Sequence, residues 1–329
     1  MLKAMKNKLK KIVALVVVIV TVLSVFAGCG SQNEDDGVLN ILCSFFPAYD
    51  WVREITAGAQ NVKVELLVES GADMHSYQAT AADLVKIASC DVFVYVGGVS
   101  DGWVEDALES APSDHRTVLN FMALLPEDRK LCASEDELHE HDHEHDHAEK
   151  DAYDEHLWLS LKNAEILCEK ISGKLAEIDP ANSEKYVANT SEYCEKLKTL
   201  DGEYEKTVAA AENNTLIFGG RFPFTYLLND YGLEHYSAFG GCSAESEASF
   251  ETIIFLAGKV DELGVSAVMS VKGDTDSIAK TVVENTKNKN QQIIELDSMQ
   301  SVTKKDIDGG ATYLKNMQEN LTALEKALG

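Results

Sequence analysis

The stretch ANSEKYVANTSEYCEKLKTLDGEYEKTVAA, residues 181–210, separates two halves of the chain that follow the same pattern. Its apolar and aromatic side chains recur at steps of three, four and seven residues, which predicts one amphipathic helix. They are Tyr186, Tyr193, Leu197, Leu200, Tyr204 and Val208. Pro180 directly precedes the stretch, as is common at a helix start. A helix of about 30 residues is about 45 Å long, so we expect a stiff connecting helix over residues 181–211.

Apolar runs of strand length alternate with helix-like segments on both sides of this helix. The earlier runs are Val38–Phe45, Val62–Val68, Asp91–Val96 and Thr117–Phe121. The later runs are Leu216–Gly219, Glu234–Phe239, Ser266–Val271 and Gln292–Leu296, followed by a closing helix at Thr312–Leu328. This order predicts an α/β fold with two lobes, each a small, mostly parallel sheet flanked by helices. We expect the lobes at residues 38–180 and 212–329.

The beginning of the chain has the features of a secretion signal. A basic start is followed by an apolar run, Ile12–Phe26, which is shorter than the roughly 20 residues of a membrane-spanning helix. Phe26-Ala27-Gly28-Cys29 resembles a bacterial lipobox, in which the cysteine becomes the lipid-bearing N-terminus. We expect a signal peptide at 1–28, lipidation at Cys29 and a polar tether over 29–37. The protein would then be extracytoplasmic and anchored to the cell membrane; a plain signal or an uncleaved anchor is the alternative.

Charge and cysteine content narrow the class of ligand. The formal net charge of -26 argues against nucleic acid, which binds clustered Lys and Arg, and is better suited to cations. Besides Cys29 the chain has six cysteines without CxxC spacing. A protein of this size does not need disulfides, so we interpret most of these cysteines as small buried hydrophobes.

The segment from Ser134 to Glu155 is acidic and rich in histidine. Five histidines alternate with acidic residues: His139, His141, His143, His145 and His147. With almost no apolar residue to bury, the segment is predicted to be a mobile loop. Imidazoles bind zinc, and carboxylates concentrate cations, so we expect auxiliary zinc capture; a solvated loop without a role is the alternative. Its HExxH matches follow from the alternation, and the charged flanks offer nothing to hold a metalloprotease helix.

Three residues outside this segment lie where an α/β protein binds ligands. His75 follows a predicted strand, and the carboxyl end of a strand faces the crevice of an α/β sheet. His156 follows the histidine-rich segment, and Asp297 ends another predicted strand. Each alone is more often an ordinary polar residue. Their common placement at segment ends makes them candidate metal ligands.

Several motifs, taken in order, resemble those of the solute-binding proteins, periplasmic or lipoprotein, of zinc and manganese ABC importers. The matching residues are Phe46-Pro47-Ala48-Tyr49-Asp50-Trp51-Val52, Gly71, His75-Ser76-Tyr77, Asp83, His156-Leu157-Trp158-Leu159, Phe224, Tyr226, Tyr231-Gly232-Leu233, Glu245-Ser246-Glu247-Ala248-Ser249 and Leu296-Asp297. The resemblance implies one metal ion in the cleft between the lobes. It implies His75 and His156 as ligands from the first lobe and Asp297 as the carboxylate ligand from the second.

The chain departs from this family at Arg221, where the family usually has a His or Glu ligand. A guanidinium has no lone pair for a metal. We expect another donor to replace it, with Glu245 first, Glu247 second and Cys242 third, while Arg221 pairs with a nearby carboxylate. The alternative is that Arg221 marks loss of metal binding, or a ligand that is a metal chelate or an anion.

The sequence therefore predicts a receptor that captures Zn²⁺ and delivers it to the permease and ATPase of an ABC importer. Two imidazoles with carboxylates favour zinc, and in the resembled family histidine-rich loops accompany zinc members; Mn²⁺ is the alternative. We expect a monomer without enzymatic activity. The rival functions are a zinc-dependent hydrolase, for which no credible general base is present, and a surface adhesin that uses metal only structurally.

Overall fold

Two four-stranded parallel sheets form the framework of the computed structural model, which describes residues 37–72, 74–132, 153–241 and 247–329. The first sheet has the order β2-β1-β3-β4 and the second β6-β5-β7-β8, with every pairing parallel. The strands are β1 Leu39–Cys43, β2 Val62–Leu66, β3 Val92–Tyr95, β4 Thr117–Asn120, β5 Thr215–Phe218, β6 Glu234–Ser237, β7 Ala267–Val271 and β8 Gln292–Leu296. All eight predicted strands are present, which confirms the two-lobed α/β fold.

Eleven α-helices connect and cover these strands within the described residues. They are α1 Phe46–Ile55, α2 Ala81–Ser89, α3 Gly102–Ser110, α4 Phe121–Leu124, α5 Leu161–Ile178, α6 Ser183–Ala210, α7 Thr225–Tyr231, α8 Phe250–Leu263, α9 Ser277–Glu284, α10 Lys304–Asp308 and α11 Tyr313–Leu328. Three-residue 3₁₀ turns at Met74–Ser76, Val99–Asp101 and Leu157–Leu159 lie close to the ligand-type residues. The lobe boundaries at residues 38–180 and 212–329 stay a prediction.

Helix α6 is the connecting helix expected from the sequence and contacts both lobes. The aromatic and leucine positions of its predicted apolar face are buried, and Val208 packs against the same core. Asn189 donates from its side-chain amide to the carbonyl oxygens of Ile55 and Ala57, each at 2.9 Å. Nearer the other end, the Tyr204 hydroxyl donates to Met317 O at 2.6 Å. Helix α6 therefore packs against both lobes.

Alternate residues of each sheet pack into different layers, because strand side chains alternate between faces. In β1, Ile41 joins the largest core and Leu42 a smaller cluster. In β7, Met269 joins the same large core and Val268 a second small cluster. The large core also contains residues of α5 and α6 and is continuous between the sheets. Residues Leu39–Gly329 therefore form one packed unit, which opposes a free hinge between the lobes.

A close backbone contact joins the loop after β2 to the loop after β8. Lys304 N donates to Glu69 O at 3.0 Å, and Ser70 pairs with Thr303. Gly71 has a φ of +67°, and a Cβ there would lie 2.6 Å from Ser301 O. Only glycine fits this position without displacing the second loop.

The cysteines agree with the interpretation made from the sequence. Cys43, Cys90, Cys168 and Cys194 are buried free thiols, and Cys132 is an exposed one. Cys242 lies outside the described residues, as do Cys29, the signal peptide at 1–28 and all but the last residue of the tether. In the described part of the chain no helix has the length and apolar character needed to cross a membrane.

Asp50 joins α1 to the start of α11. Its carboxylate is 2% exposed and accepts the backbone N–H of Tyr313 at 2.8 Å. Burial raises the pKa of the Asp50 carboxyl from 3.8 to about 6, although the hydrogen bond from Tyr313 acts in the opposite direction. At pH values between these two pKa values, the folded protein binds more protons than the unfolded chain. The contribution of Asp50 to the free energy of unfolding therefore falls as the pH rises from about 4 to about 6.

We predict that Asp50→Asn removes this pH dependence, because the amide oxygen can still accept the Tyr313 N–H without carrying a buried charge. The free energy of unfolding of the variant, relative to wild type, should rise by about 2 kcal/mol between pH 4 and pH 7. Urea titrations across this pH range measure it. Glu184→Gln, at an exposed position of α6, is the control, and parallel profiles for wild type and Asp50→Asn would contradict the prediction.

Candidate metal centre

Two imidazoles converge after the first sheet. His75 lies in the 3₁₀ turn after β2, and His156 immediately precedes the turn Leu157–Leu159. Their Nε2 atoms are 3.4 Å apart. His156 is 3% exposed and the His75 side chain 21% exposed. Together with Glu155 they form the one group of three metal-ligand side chains found in the described residues, with ligand atoms within 4.8 Å of one another.

A carboxylate holds the other nitrogen of each ring. Asp154 Oδ1 lies 2.8 Å from His156 Nδ1, and Glu155 Oε1 lies 3.0 Å from His75 Nδ1. The Ser100 hydroxyl contacts both Glu155 and His75 Nδ1, and Ser100 N donates to Glu155 Oε2 at 2.9 Å. A carboxylate at Nδ1 fixes the tautomer in which Nδ1 carries the proton. The Nε2 lone pairs are then available to a metal ion.

Both carboxylates stay charged at neutral pH. Burial alone would raise the pKa of Glu155, but hydrogen bonds from His75 and Ser100 outweigh it and lower the pKa to about 2. Burial likewise opposes ionisation of Asp154, and the charge and hydrogen bonds of His156 hold its pKa below 3.8. Two ionised carboxylates therefore lie behind the two imidazoles, which favours a cation at this centre.

The spacing of the imidazoles matches a tetrahedral metal site. Zinc binds histidine nitrogens at about 2.0–2.1 Å, so two such donors at a tetrahedral angle lie about 3.3 Å apart. The measured Nε2–Nε2 distance is 3.4 Å. The two rings are therefore already placed for joint coordination of one ion.

A turn of the second lobe closes the centre from the other side. Gln300, in the loop after β8, has its amide Nε2 2.6 Å from His75 Nε2 and 3.0 Å from His156 Nε2. Trp158 fixes the turn by donating from its indole to Ser298 O at 2.9 Å. Met299 has a φ of +59°, which is uncommon outside glycine and is characteristic of strained functional sites.

The structure does not bring Asp297, predicted as the second-lobe ligand, into the group around the imidazoles. Its Oδ2 pairs with Lys272 Nζ at 2.9 Å and accepts from Asn316 Nδ2 at 3.2 Å. Its Oδ1 accepts Met299 N at 2.8 Å. Both carboxylate oxygens are thus hydrogen-bonded or ion-paired in the metal-free protein, and the role of Asp297 as a ligand stays a prediction.

Arg221 and the donors expected to replace a metal ligand at its position lie only partly within the described residues. Arg221 binds both oxygens of Asp274, with its Nε 3.0 Å from Oδ2, which confirms the expected pairing with a carboxylate. Glu245 and Cys242 lie outside the described residues. Glu247 is described, exposed, and outside the group around the imidazoles. The replacement for the ligand missing at Arg221 therefore stays a prediction at Glu245.

The histidine-rich segment ends earlier than the sequence indicated. Residues 133–152, including His139, His141, His143, His145 and His147, lie outside the described part. Tyr153, Asp154 and Glu155, predicted to be loop, belong to the folded body, because Asp154 is buried and its N–H donates to Leu131 O at 2.8 Å. Tyr226 of α7 contacts both residues: its hydroxyl donates to Asp154 O at 2.9 Å and accepts Leu131 N at 3.1 Å.

Four residues that contact the two imidazoles were not singled out by the sequence analysis. Asp154 and Glu155 directly precede His156, and this adjacency could have indicated that they contact the imidazole. The sequence analysis instead assigned both residues to the acidic, histidine-rich segment. Ser100 and Gln300 carried no signal, since an isolated hydroxyl and an isolated amide are common on any surface. Asp83, by contrast, caps α2 through Thr80 and binds the Tyr77 hydroxyl at 2.8 Å.

We predict that both His75 and His156 carry their proton on Nδ1 in the metal-free protein at neutral pH, because each Nδ1 faces a carboxylate. Two-bond ¹H–¹⁵N spectra of the imidazoles report the tautomer. Glu155→Gln should perturb the spectrum of His75 more than that of His156, and Asp154→Asn the reverse. Nε2–H tautomers in wild type would contradict the assignment.

The chain is similar to known zinc-uptake proteins over most of its length. The family model "ZnuA: Zinc-uptake complex component A periplasmic" matches residues 41–327. The zinc-binding lipoprotein AdcA of Streptococcus pneumoniae (strain R6) is 29% identical over 301 residues, which are 91% of this chain and 57% of AdcA. The high-affinity zinc uptake system protein ZnuA of Bacillus subtilis is 29% identical over 299 residues, 91% of this chain and 90% of that protein.

A solved structure shows the same fold. The Zn(II)-bound ZnuA-like domain of Streptococcus pneumoniae AdcA superposes with a TM-score of 0.69 at 25% identity, covering 89% of this chain and 99% of that domain. This chain therefore corresponds to one part of AdcA, spanning 57% of the full protein's length. Because the family model matches far more than half of its residues, the chain belongs to the zinc-uptake complex component A (ZnuA) family.

Proposed function

We propose that the protein is the extracytoplasmic solute-binding component of an ABC importer and that its cargo is Zn²⁺. The observation that carries this proposal is the pair of Nε2 atoms 3.4 Å apart, each ring backed by its own carboxylate. Zinc is the common metal whose tetrahedral sites use neutral imidazoles in this way. The names of the AdcA and ZnuA relatives, both zinc proteins, support the same cargo.

Mn²⁺ is the weaker candidate for the cargo. Manganese prefers carboxylate, carbonyl and water oxygens. In the described residues, however, Asp154 and Glu155 are each hydrogen-bonded to the Nδ1 of a ring, and Asp297 pairs with Lys272. Imidazole nitrogens are thus the foremost donors, which favours zinc.

Capture and delivery require binding and release rather than chemistry. We propose that a monomeric receptor loads zinc between its lobes and docks on a membrane permease that is driven by an ATPase. The family model describes a zinc-uptake component, which supports a role as a carrier and not as an enzyme.

We predict that His75→Ala and His156→Ala each weaken zinc binding at least about 100-fold, since each removes one of a few first-shell donors. Isothermal titration with Zn²⁺ in a competing chelator measures the affinity of tag-free protein. His115→Ala, at an exposed histidine after α3, is the matched control and should bind zinc as wild type does. Wild-type affinity in both of the first two variants would reject the proposed centre.

We also propose that Cys29 carries the lipid that holds the receptor at the membrane. The support is the lipobox-like sequence Phe26-Ala27-Gly28-Cys29 together with the lipoprotein name of the AdcA relative. Cys29→Ala should move the protein from the membrane fraction of the expressing cells to the soluble or secreted fraction. Globomycin, which blocks lipoprotein signal cleavage, should leave the wild-type protein with its signal peptide attached. Unchanged membrane association of the variant and insensitivity to the inhibitor would reject the anchor.

A further inference from the structure

The amide of Gln300 bridges the two imidazoles that we assign to the metal. Its Nε2 approaches His75 Nε2 at 2.6 Å and His156 Nε2 at 3.0 Å, while its Oε1 accepts the Ser298 hydroxyl at 3.1 Å. An amide NH₂ has two hydrogens and an imidazole with its proton on Nδ1 has one Nε2 lone pair. One hydrogen for each ring accounts for both contacts.

The metal and this amide compete for the same two lone pairs. The carboxylates of Asp154 and Glu155 hold the Nδ1 protons in place, so the Nε2 lone pairs are either hydrogen-bonded to Gln300 or coordinated to an ion. Zinc cannot bind both rings until the NH₂ group has turned away. Binding of the cargo and movement of Gln300 are thus one event.

From this geometry we propose that Gln300 is an exchangeable residue of the centre that sets its choice of metal. In the metal-free protein its NH₂ group spans the two imidazoles. When an ion enters, the amide turns by half a revolution about its last side-chain bond, and Oε1 becomes a neutral ligand from the second lobe. This inference rests on the proposed function, since it concerns the same centre and cargo.

Ser298 makes both amide orientations acceptable. A hydroxyl is a donor and an acceptor, so Ser298 can donate to Oε1 before the turn and accept from the NH₂ group after it. The Ser298 backbone stays fixed meanwhile, because Trp158 binds its carbonyl and Asp297 holds the next residue, Met299. The exchange is therefore confined to one side-chain torsion and one hydroxyl rotation.

The neutral charge of Gln300 is the basis of metal choice. An amide oxygen has no net charge and is a weaker ligand than a carboxylate for both ions; Mn²⁺ gains less than zinc from the imidazoles and therefore loses relatively more when the oxygen donor is neutral. A carboxylate at position 300 would add charge to the ligand set but could not donate to the Nε2 atoms. Glutamine thus gives up affinity for both ions, and more for manganese than for zinc.

Gln300→Glu tests this proposal directly, with Gln318→Glu at an exposed position of α11 as a control for the added charge. We expect Gln300→Glu to bind Zn²⁺ about tenfold more tightly, as a charge-assisted ligand should, and to gain more for Mn²⁺ than for Zn²⁺. Stopped-flow chelator competition should show slower zinc release than from wild type. Gln300→Ala should lose about tenfold in zinc affinity, and Gln318→Glu should match wild type.

A measurement without metal separates this proposal from the proposed function. In the metal-free protein, imidazole ¹⁵N spectra should show the Nε2 resonances of His75 and His156 shifting together in Gln300→Ala and in Gln300→Glu, because both substitutions remove the bridging NH₂ group. The Gln318→Glu spectrum should be unchanged. If wild type binds zinc and loses it in His75→Ala, but both Gln300 variants keep wild-type affinities and spectra, the role of Gln300 is rejected and the receptor function stands. If wild type binds no zinc, the receptor function fails instead.

Discussion

The hydrogen bonds from Asp154 and Glu155 to the two imidazoles are the contacts on which the rest of the site depends. The two carboxylates are neighbours in the chain, and each takes the Nδ1 of a different ring. One short segment therefore orients two histidines: His156, which follows it directly in the chain, and His75, from the 3₁₀ turn after β2. If either carboxylate were displaced, the 3.4 Å separation of the Nε2 atoms would lose its support. The sheets, the helices and the second-lobe turn all serve to bring other groups to this pair.

The architecture was largely readable from the sequence because it depends on periodicity. Alternating apolar runs predicted all eight strands, and the face of Tyr186, Tyr193 and Tyr204 predicted the long helix α6. Both signals arise from burial of one face over several turns or residues, which averages over local irregularities. The continuous core between the sheets was not predictable in this way. It follows from tertiary packing of α5 and α6, which no local pattern specifies.

The sequence analysis named some of the residues around the imidazole pair and missed others. The sequence analysis singled out His75 and His156, and the structure brings their Nε2 atoms to 3.4 Å from each other; their role as ligands stays a prediction. Asp297 was expected to bind metal, and that role stays a prediction; in the structure it forms an ion pair with Lys272, a distant residue whose position no spacing argument could supply. Gln300 was missed because a neutral amide has no distinctive pattern. Its placement depends on the left-handed backbone of Met299, which sequence periodicity does not report.

The hydroxyl of Tyr226 ties Leu131 and Asp154 together at the point where the chain leaves and re-enters the body. Leu131 and Asp154 are therefore held in place on either side of residues 133–152. Lengthening a loop whose ends are already fixed costs only about 0.6 kcal/mol for each doubling. A change in the number of residues between these two anchored positions therefore need not move the neighbouring imidazole pair. Tyr226 thus holds Leu131 and Asp154 together whatever the length of the chain that separates them.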